Sequence, residues 1–258
     1  MQRRIKAEEI ENIVFSYSNE EYNAYKGVYQ QQPVKLKIFS CADKKVNRFA
    51  KELLILKSFQ SQNILNLYGY IFDERKSVPI FGTVTEYASL TLREYLNQDE
   101  HLSYEGKTML MLDAAKGLQA LHTMYENPYL HKNVSSSSFY ISSNRVKIGS
   151  ISHSRDTKVN FMAYFSYEIL KDIFFEYTIE CEIYSFGIVL WEILTRRTPF
   201  KNLTYGDIYN KLIIKNRGSA LPLDAPLELQ MLITMCRDLS PKKRPTTDYI
   251  VSLLVSLR

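Results

Sequence analysis

The chain has 258 residues, of which 45% are hydrophobic and 24% are charged, so it is able to bury at least one substantial core. This composition excludes a disordered tail, a collagen-like fibre and a small disulfide-stapled scaffold. The 33 Lys and Arg residues against 28 Asp and Glu residues leave a net charge of +5, which is too small and too scattered to indicate nucleic-acid binding.

The cysteines and the apolar segments indicate the compartment. The three cysteines, Cys41, Cys181 and Cys236, form no CxxC pair and have no His at metal-ligand spacing. The basic start of the chain is not followed by the apolar stretch of a signal peptide. The longest apolar run, residues 183–194, is interrupted by polar residues and is too short to span a bilayer. We therefore expect a protein of a reducing compartment, with no disulfide framework, no metal site and no membrane span.

The first third of the chain has the patterns of strands with one helix. Alternating residues predict strands over 25–29 and 34–39, with a Gln-rich turn between them. Apolar residues at spacings of three and four predict a helix over 44–59. Strand patterns return over 64–72 and 80–87.

The rest of the chain has mainly helical patterns, and residues 182–195 are apolar on every face, which predicts a helix buried at the centre of a lobe. We therefore predict an α+β fold in a single domain, with a β-rich lobe over about residues 1–87 and a larger helical lobe over about 88–258. The helices predicted in the larger lobe cover 92–96, 104–125, 182–195, 205–215, 226–237 and 246–256.

A series of short motifs runs along almost the whole chain: Tyr25-Lys26-Gly27, Lys37, Glu52, Thr85-Glu86-Tyr87, His131-Lys132-Asn133, residues 182–192 (EIYSFGIVLWE) and Arg244-Pro245. In order and spacing this series resembles the signature of the protein-kinase family. Within that family, residues 80–95 (IFGTVTEYASLTLREY) and 182–194 are most similar to the pseudokinases of the mixed-lineage-kinase-domain-like group, the executioners of necroptosis. The resemblance implies a bilobal kinase fold.

The glycine loop of kinases is degenerate in this sequence. Its three glycine positions correspond to Tyr17, Asn19 and Tyr22. Kinases have glycine there because the backbone lies close over the phosphates of the nucleotide, and side chains obstruct that approach. The loop is therefore not suited to phosphate binding.

The nucleotide pocket that the resemblance implies is only partly present. Lys37 and Glu52 match the kinase ion pair, and Thr85 is a small residue at the gatekeeper position. Lys35 stands where kinases have a small residue that packs on adenine. Because residues two apart on a strand share a face, we expect Lys35 to fill the pocket beside Lys37 and to repel it. We therefore expect no nucleotide cofactor.

The catalytic loop lacks the residues of phosphoryl transfer. By resemblance, Asn133 replaces the proton-accepting Asp, Ser135 the catalytic Lys and Ser138 the metal-binding Asn. Ser150 replaces the Asp of the Asp-Phe-Gly motif, which holds magnesium in kinases. An amide does not accept a proton at neutral pH, and magnesium prefers charged oxygen ligands. We predict that the chain is not an enzyme and binds no metal.

Two positions of the kinase scaffold are retained. By resemblance, Glu168 at the end of the activation segment pairs with Arg244, and this pair is structural. His131 matches the kinase residue that packs into the core. A scaffold without catalysis is what a binding protein built on a kinase fold would contain.

The resemblance further implies a decoy. The segment over 152–166 is short for an activation segment and lacks the phosphorylated cluster of the executioner, and the kinase-like region follows almost directly on Met1, without the membrane-permeabilising four-helix bundle. Shortened homologues of this kind are encoded by poxviruses and bind the receptor-interacting kinase of necroptosis. We therefore expect a viral inhibitor in the host cell cytoplasm whose partner is that kinase.

Two alternatives stay open. The first is the pseudokinase domain of a cellular executioner or scaffold, separated from its effector domain. The second is an unconventional slow kinase that uses Lys37, Glu52 and a borrowed carboxylate, for which Asp156 is the nearby candidate.

Two aromatic residues, Phe174 and Phe175, follow the activation segment among charged neighbours. Exposed aromatic residues are typical of interface hot spots. The alternative is that both rings pack into the larger lobe. We predict that at least one of them, Phe174 in the first place, binds the partner.

Overall fold

The chain folds into two compact units. The first contains the chain up to Ser89, and the second contains Leu90–Ile148 and the described chain from residue 162 onward. The α+β class expected from the sequence is confirmed, since strands dominate the first unit and helices the second. The computed structural model describes residues 3–18, 22–39, 49–50, 53–54, 57, 61–73, 79–98, 101–123, 128–149, 162–215 and 218–258.

The first unit contains a six-stranded sheet with the strand order β1-β5-β6-β4-β3-β2. All neighbours are antiparallel except the pair of β1 and β5. Of the helix predicted over 44–59, residues 49, 50, 53, 54 and 57 are described and are helical. The strands are β1 (Arg3–Arg4), β2 (Ile10–Ser18), β3 (Tyr22–Tyr29), β4 (Gln32–Phe39), β5 (Leu67–Asp73) and β6 (Ile80–Glu86).

The Gln-rich turn predicted between the first two strands joins β3 and β4. Gln30 and Gln31 have φ angles of 48° and 64°, and Tyr29 pairs with Gln32. Two central residues with positive φ are typical of a type I′ turn, whose twist matches that of the flanking strands.

Strand β2 was not predicted from the sequence. It lies at the edge of the sheet, and all its residues after Ile10 are exposed, so hydrophobic alternation does not mark it. Asn12 has a positive φ of 52°, and the pairing with β3 shifts register twice. Bulges of this kind are common in edge strands.

The two faces of the sheet bury different sets of side chains. On β4, Val34 and Leu36 belong to one apolar cluster, together with Ile10 and Val84. The aromatic cluster consists of Tyr22, Ala24, Phe39 and Phe49. Lys35 and Lys37 alternate with Val34 and Leu36 along β4 and therefore share the other face of the sheet.

The second unit contains a small sheet of strands β7, β8 and β9. The hairpin of β8 and β9, with four residues in each strand, and the five-residue helix α3 were not predicted from the sequence. The elements are β7 (Leu90–Thr91), α1 (Leu92–Asn97), α2 (Tyr104–Thr123), β8 (Phe139–Ser142), β9 (Arg145–Ile148), α3 (Tyr167–Lys171), α4 (Ile179–Thr195), α5 (Tyr205–Tyr209) with a π-turn (Asn210–Ile214), α6 (Leu227–Cys236) and α7 (Thr247–Ser256).

Helix α4 is the core of the second unit, and every residue from 181 to 194 is buried. At Gly187 a Cβ atom would lie 2.7 Å from the Cβ of Cys236, so only glycine allows α6 to approach this closely. In the part of the chain that the structure describes, no helix is long and apolar enough to cross a membrane.

Candidate functional site

The loop that corresponds to the kinase catalytic loop, His131–Ser138, is held by a carboxylate of α4. Glu182 is fully buried, and its Oε1 accepts the N–H of Lys132. Its Oε2 lies 2.8 Å from Nε2 of His122 on α2. His131 is also buried, as expected from the sequence. A buried carboxylate of α4 therefore holds the backbone of the loop through the Lys132 N–H.

Polar groups of this loop form hydrogen bonds with one another. The hydroxyl of Ser138 donates to the carbonyl oxygen of Ser135 at 2.7 Å and accepts the Ser135 N–H at 3.1 Å. Asn133 is half-buried, and its N–H donates to Nδ1 of His131 at 3.3 Å. Ser138 therefore closes a turn at the position where kinases have a metal ligand.

Within the described loop His131–Ser138, no side chain has the charged oxygen that a magnesium ion prefers. Magnesium is held by charged oxygens, usually one or two carboxylates with phosphate oxygens. No Asp or Glu stands between residues 127 and 155 in the sequence. Within the described ranges, no three His, Cys, Asp or Glu side chains are placed to hold a metal ion. Ser150 and Asp156 lie outside the described residues.

In the first unit, two lysines and two tyrosines form one cluster. Nζ of Lys35 donates to the hydroxyl of Tyr17 at 3.0 Å and lies 5.1 Å from the centre of that ring. Nζ of Lys37 lies 5.0 Å from the ring centre of Tyr22, and the two tyrosine hydroxyls are 3.1 Å apart. The rings of Tyr17 and Tyr22 therefore lie beside the two lysines of β4, at cation–π distance.

The charges of this cluster act on the phenol of Tyr17. Burial raises its pKa, but the positive charge of Lys35, the hydrogen bonds from Tyr22 and Lys35 and the charge of Lys37 outweigh burial, so the pKa lies below its ordinary value. Thr85 pairs with Lys35 across β4 and β6 and is buried. Glu52 lies outside the described residues.

Glu168 and Arg244 form a buried, bidentate ion pair. The distances are 2.6 Å from Nη1 to Oε1 and 2.8 Å from Nη2 to Oε2. Nη1 of Arg244 also donates to the carbonyl oxygen of Glu180, and Nε to that of Asp238. Burial raises the pKa of Glu168, but the hydrogen bonds and charge of Arg244 lower it below its ordinary value. The pair fixes α3 to the segment that precedes α7.

A further buried acid, Glu192 on α4, is the centre of a hydrogen-bond network that was not predicted from the sequence. It accepts hydrogen bonds from Arg93 at 2.6 Å, Ser136 at 2.9 Å and Tyr164 at 2.8 Å. Burial raises its pKa to about 7, against the lowering effect of Arg93 and the two hydroxyls. Arg93 and Tyr164 also line a cavity of about 560 Å³ beside the loop, together with Ser135. The sequence did contain a signal for this network. A Glu within a helix that is apolar on every face must be buried, and a buried carboxylate needs hydrogen-bond partners.

The segment after α3 presents its aromatic side chain to solvent. Phe174 is 93% exposed, Phe175 is 39% exposed and Ile173 is 56% exposed. The structure therefore separates the two rings that the sequence grouped together: Phe174 stands free, and Phe175 is partly covered. An aromatic ring exposed at a turn is a candidate for contact with a partner.

Comparison with known proteins identifies the class. The family profile described as "Protein tyrosine and serine/threonine kinase" matches residues 20–254. The chain therefore belongs to the protein-kinase family.

Among its relatives, mixed lineage kinase domain-like protein from Homo sapiens is 34% identical over 98% of the chain and 58% of the relative. The protein of the same name from Mus musculus is 36% identical over 87% and 51%. The serine/threonine/tyrosine-protein kinase HT1 of Arabidopsis thaliana is 30% identical over 89% and 62%. The chain thus spans about half to three-fifths of these relatives, and the resemblance to the mixed-lineage-kinase-domain-like pseudokinases is confirmed.

Proposed function

We propose that this chain is a catalytically inactive kinase-fold protein of viral origin that binds the host receptor-interacting kinase of necroptosis and keeps it from the host executioner. The observation that carries the binding function is the Phe174 ring, 93% exposed on a segment anchored by the buried pair of Glu168 and Arg244. The similarity to mixed lineage kinase domain-like protein supports the choice of partner.

The chemistry of the loop supports the proposed absence of catalysis. Asn133 cannot accept the proton of a substrate hydroxyl, and Ser138 uses its hydroxyl within the loop. Without a carboxylate between residues 127 and 155, bound metal would lack its usual ligands. We expect no transfer of radiolabelled phosphate with magnesium or manganese above that of an Asn133→Ala control. Transfer that Lys37→Met abolishes would instead support the slow kinase, which uses Lys37.

The exposed ring accounts for affinity in physical terms. Burying a Phe side chain completely stabilises a complex by about 1.5–3 kcal/mol, and central aromatic residues dominate interfaces of standard size, about 1,200–2,000 Å² in total. We therefore expect Phe174 to be a principal anchor and Phe175, which is partly covered, to contribute less.

A titration of the purified receptor-interacting kinase against wild type and variants tests this proposal. We expect Phe174→Ala to weaken binding by at least about 2 kcal/mol, roughly 30-fold, without loss of folding. Leu223→Ala is the matched control, because Leu223 is also an apolar residue of the second unit and is 96% exposed. Equal affinities of wild type and Phe174→Ala would contradict the interface.

A second candidate is the pseudokinase domain of a cellular executioner, which the 34–36% identity to mixed lineage kinase domain-like protein favours. Both candidates are expected to bind the same kinase, so recovery of the kinase alone does not separate them, and the fate of the host executioner and of the cells is the readout. Expression in mammalian cells followed by co-precipitation would recover the kinase in either case. For the decoy we expect the kinase to lose its host executioner and the cells to survive a necroptotic stimulus. Continued binding of the host executioner would contradict the decoy.

A further inference from the structure

The Phe174 ring is almost fully exposed, so its position depends on the backbone that carries it. Two hydrogen bonds close that backbone into a turn. The Phe174 N–H donates to Oδ1 of Asp172 at 2.9 Å, and the Phe175 N–H donates to the carbonyl oxygen of Asp172 at 3.0 Å. An Asp side chain that accepts the N–H two residues later forms an Asx turn, which restricts the local backbone. Asp172 therefore holds the N–H groups of both aromatic residues.

The turn is fixed at its base by α3. The Asp172 N–H donates to the carbonyl oxygen of Glu168 at 3.0 Å, and the side chain of Glu168 is held by Arg244. A continuous series of hydrogen bonds thus runs from the buried Arg244 through Glu168 and Asp172 to the backbone of Phe174. The exposed ring is connected to the core without being packed against it.

This arrangement matters for binding because ordering a loose segment reduces affinity. A partner that captures an aromatic ring on a mobile loop must restrict the backbone at the moment of association. A turn that is already closed avoids that loss, so affinity rises with no additional contact. The carboxylate of Asp172 is the side-chain group that closes this turn in the described structure.

We infer that Asp172 is a positioning residue for partner binding, which presents Phe174 in its bound geometry through the Asx turn. The inference rests on the proposed function, because it assigns a role at the same surface. The hydrogen bond of the side-chain oxygen carries this role, and the negative charge of Asp172 does not.

Three variants separate these contributions. Asp172→Ala removes the acceptor, whereas Asp172→Asn removes the charge and keeps a side-chain oxygen that accepts the Phe174 N–H. Asp248→Ala is the matched control, since Asp248 is an exposed Asp on α7 whose side chain also makes a hydrogen bond, with Gln119 at 2.7 Å. The full chain is used throughout, and thermal unfolding verifies that each variant is folded.

The first measurement needs no partner. Hydrogen–deuterium exchange read at the Phe174 amide should be about fivefold faster in Asp172→Ala, because the hydrogen bond that protects it is lost. Exchange in Asp172→Asn should stay within about twofold of wild type. Equal protection in wild type and Asp172→Ala would overturn the inference.

The second measurement is a titration against the receptor-interacting kinase. We expect about fivefold weaker binding for Asp172→Ala, and affinities within about twofold of wild type for Asp172→Asn and Asp248→Ala. In a Phe174→Ala background, Asp172→Ala should change affinity by less than about twofold, because the ring that it positions is absent.

The outcomes distinguish the inference from the function on which it rests. Failure of the wild type to bind the kinase would overturn the proposed function and this inference with it. Normal binding by Asp172→Ala, combined with weak binding by Phe174→Ala, would overturn the inference alone. Equally weak binding by the Ala and Asn variants would show that the charge contacts the partner, and would also overturn it.

Discussion

The loop His131–Ser138 and the acidic side chains that hold it differ in chemistry. Along His131–Ser138, the polar side chains include the Asn133 amide and four serine hydroxyls, but no carboxylate. The buried acids Glu182 and Glu192 hold the backbone and the Ser136 hydroxyl of that loop, and Glu168 anchors α3. The side chains that hold the loop in place are therefore different from the side chains that the loop itself presents. A change at the surface of the loop therefore leaves the supporting contacts of Glu168, Glu182 and Glu192 in place.

The largest effect should come from breaking the buried ion pair of Glu168 and Arg244. Arg244→Ala leaves the Glu168 carboxylate buried without its partner, and this should lower the free energy of unfolding by about 3–5 kcal/mol in urea denaturation. Arg3→Ala is the matched control, because the ion pair of Arg3 and Glu9 has the same 2.6 Å separation but is exposed. It should cost less than about 1 kcal/mol. Similar losses for both variants would contradict the distinction.

The next effect concerns pH and Glu192. Its pKa is raised from 4.5 to about 7 by burial, so between these values the folded protein holds a proton that the unfolded chain has released. This group therefore lowers the free energy of unfolding as pH rises from about 4.5 to 7. Glu192→Gln should remove that slope. The free energy of unfolding of the variant, relative to that of wild type, should therefore rise by on the order of 3 kcal/mol from pH 5 to pH 8.

Denaturation of wild type and Glu192→Gln at several pH values measures this difference. Glu105→Gln, which alters an exposed acid on α2, should leave the slope unchanged. Parallel curves for wild type and Glu192→Gln would show that the Arg93 pair keeps Glu192 ionised throughout, against the expectation.

A smaller effect is expected at the lysine cluster of the first unit. Wild type should show no thermal shift with ATP, because the Lys35 side chain is bound to Tyr17 on the face of β4 where the kinase resemblance places the nucleotide. Lys35→Ala restores a small residue and should allow weak binding. With a dissociation constant near 0.1 mM, 1 mM ATP would stabilise the variant by about 1.4 kcal/mol. A dose-dependent rise in the melting temperature of wild type would contradict the closed face.

The smallest effect lies within the catalytic loop. Ser138→Ala loses two hydrogen bonds to the backbone of Ser135 and should lower the free energy of unfolding by about 1 kcal/mol. Ser137→Ala, a change at an exposed neighbour, should have no measurable effect. Denaturation midpoints compare the two. Equal stability of both variants would show that the Ser138 turn does not support the loop.

Elements with strong periodicity were predicted well, and short or exposed elements were not. The buried helix expected over 182–195 begins at Ile179, and the helix over 205–215 changes to a π-turn after Tyr209. The strand expected over 64–72 runs from Leu67 to Asp73. Strand β2 was missed because an exposed edge strand with bulges has no alternation to detect.

At the candidate sites, the sequence predicted positions in the kinase-like motifs, and it did not predict what the side chains at those positions contact. Asn133 and Ser138 were recognised by their positions in the motif. The ring of Tyr17 over Lys35 and the network around Glu192 were not predicted. Their partners lie on separate strands or helices, and no local pattern records such pairings.

By itself, the sequence determined the kinase family and the lack of carboxylates between residues 127 and 155, because both are properties of residue identity and order. The tertiary structure alone decided that Phe174 is 93% exposed while Phe175 is partly covered, and that Glu192 lies within a buried network. The physical reason is that exposure and pKa depend on atoms brought together from distant parts of the chain. Two adjacent phenylalanines are equivalent in composition, and only the direction of the folded backbone distinguishes them.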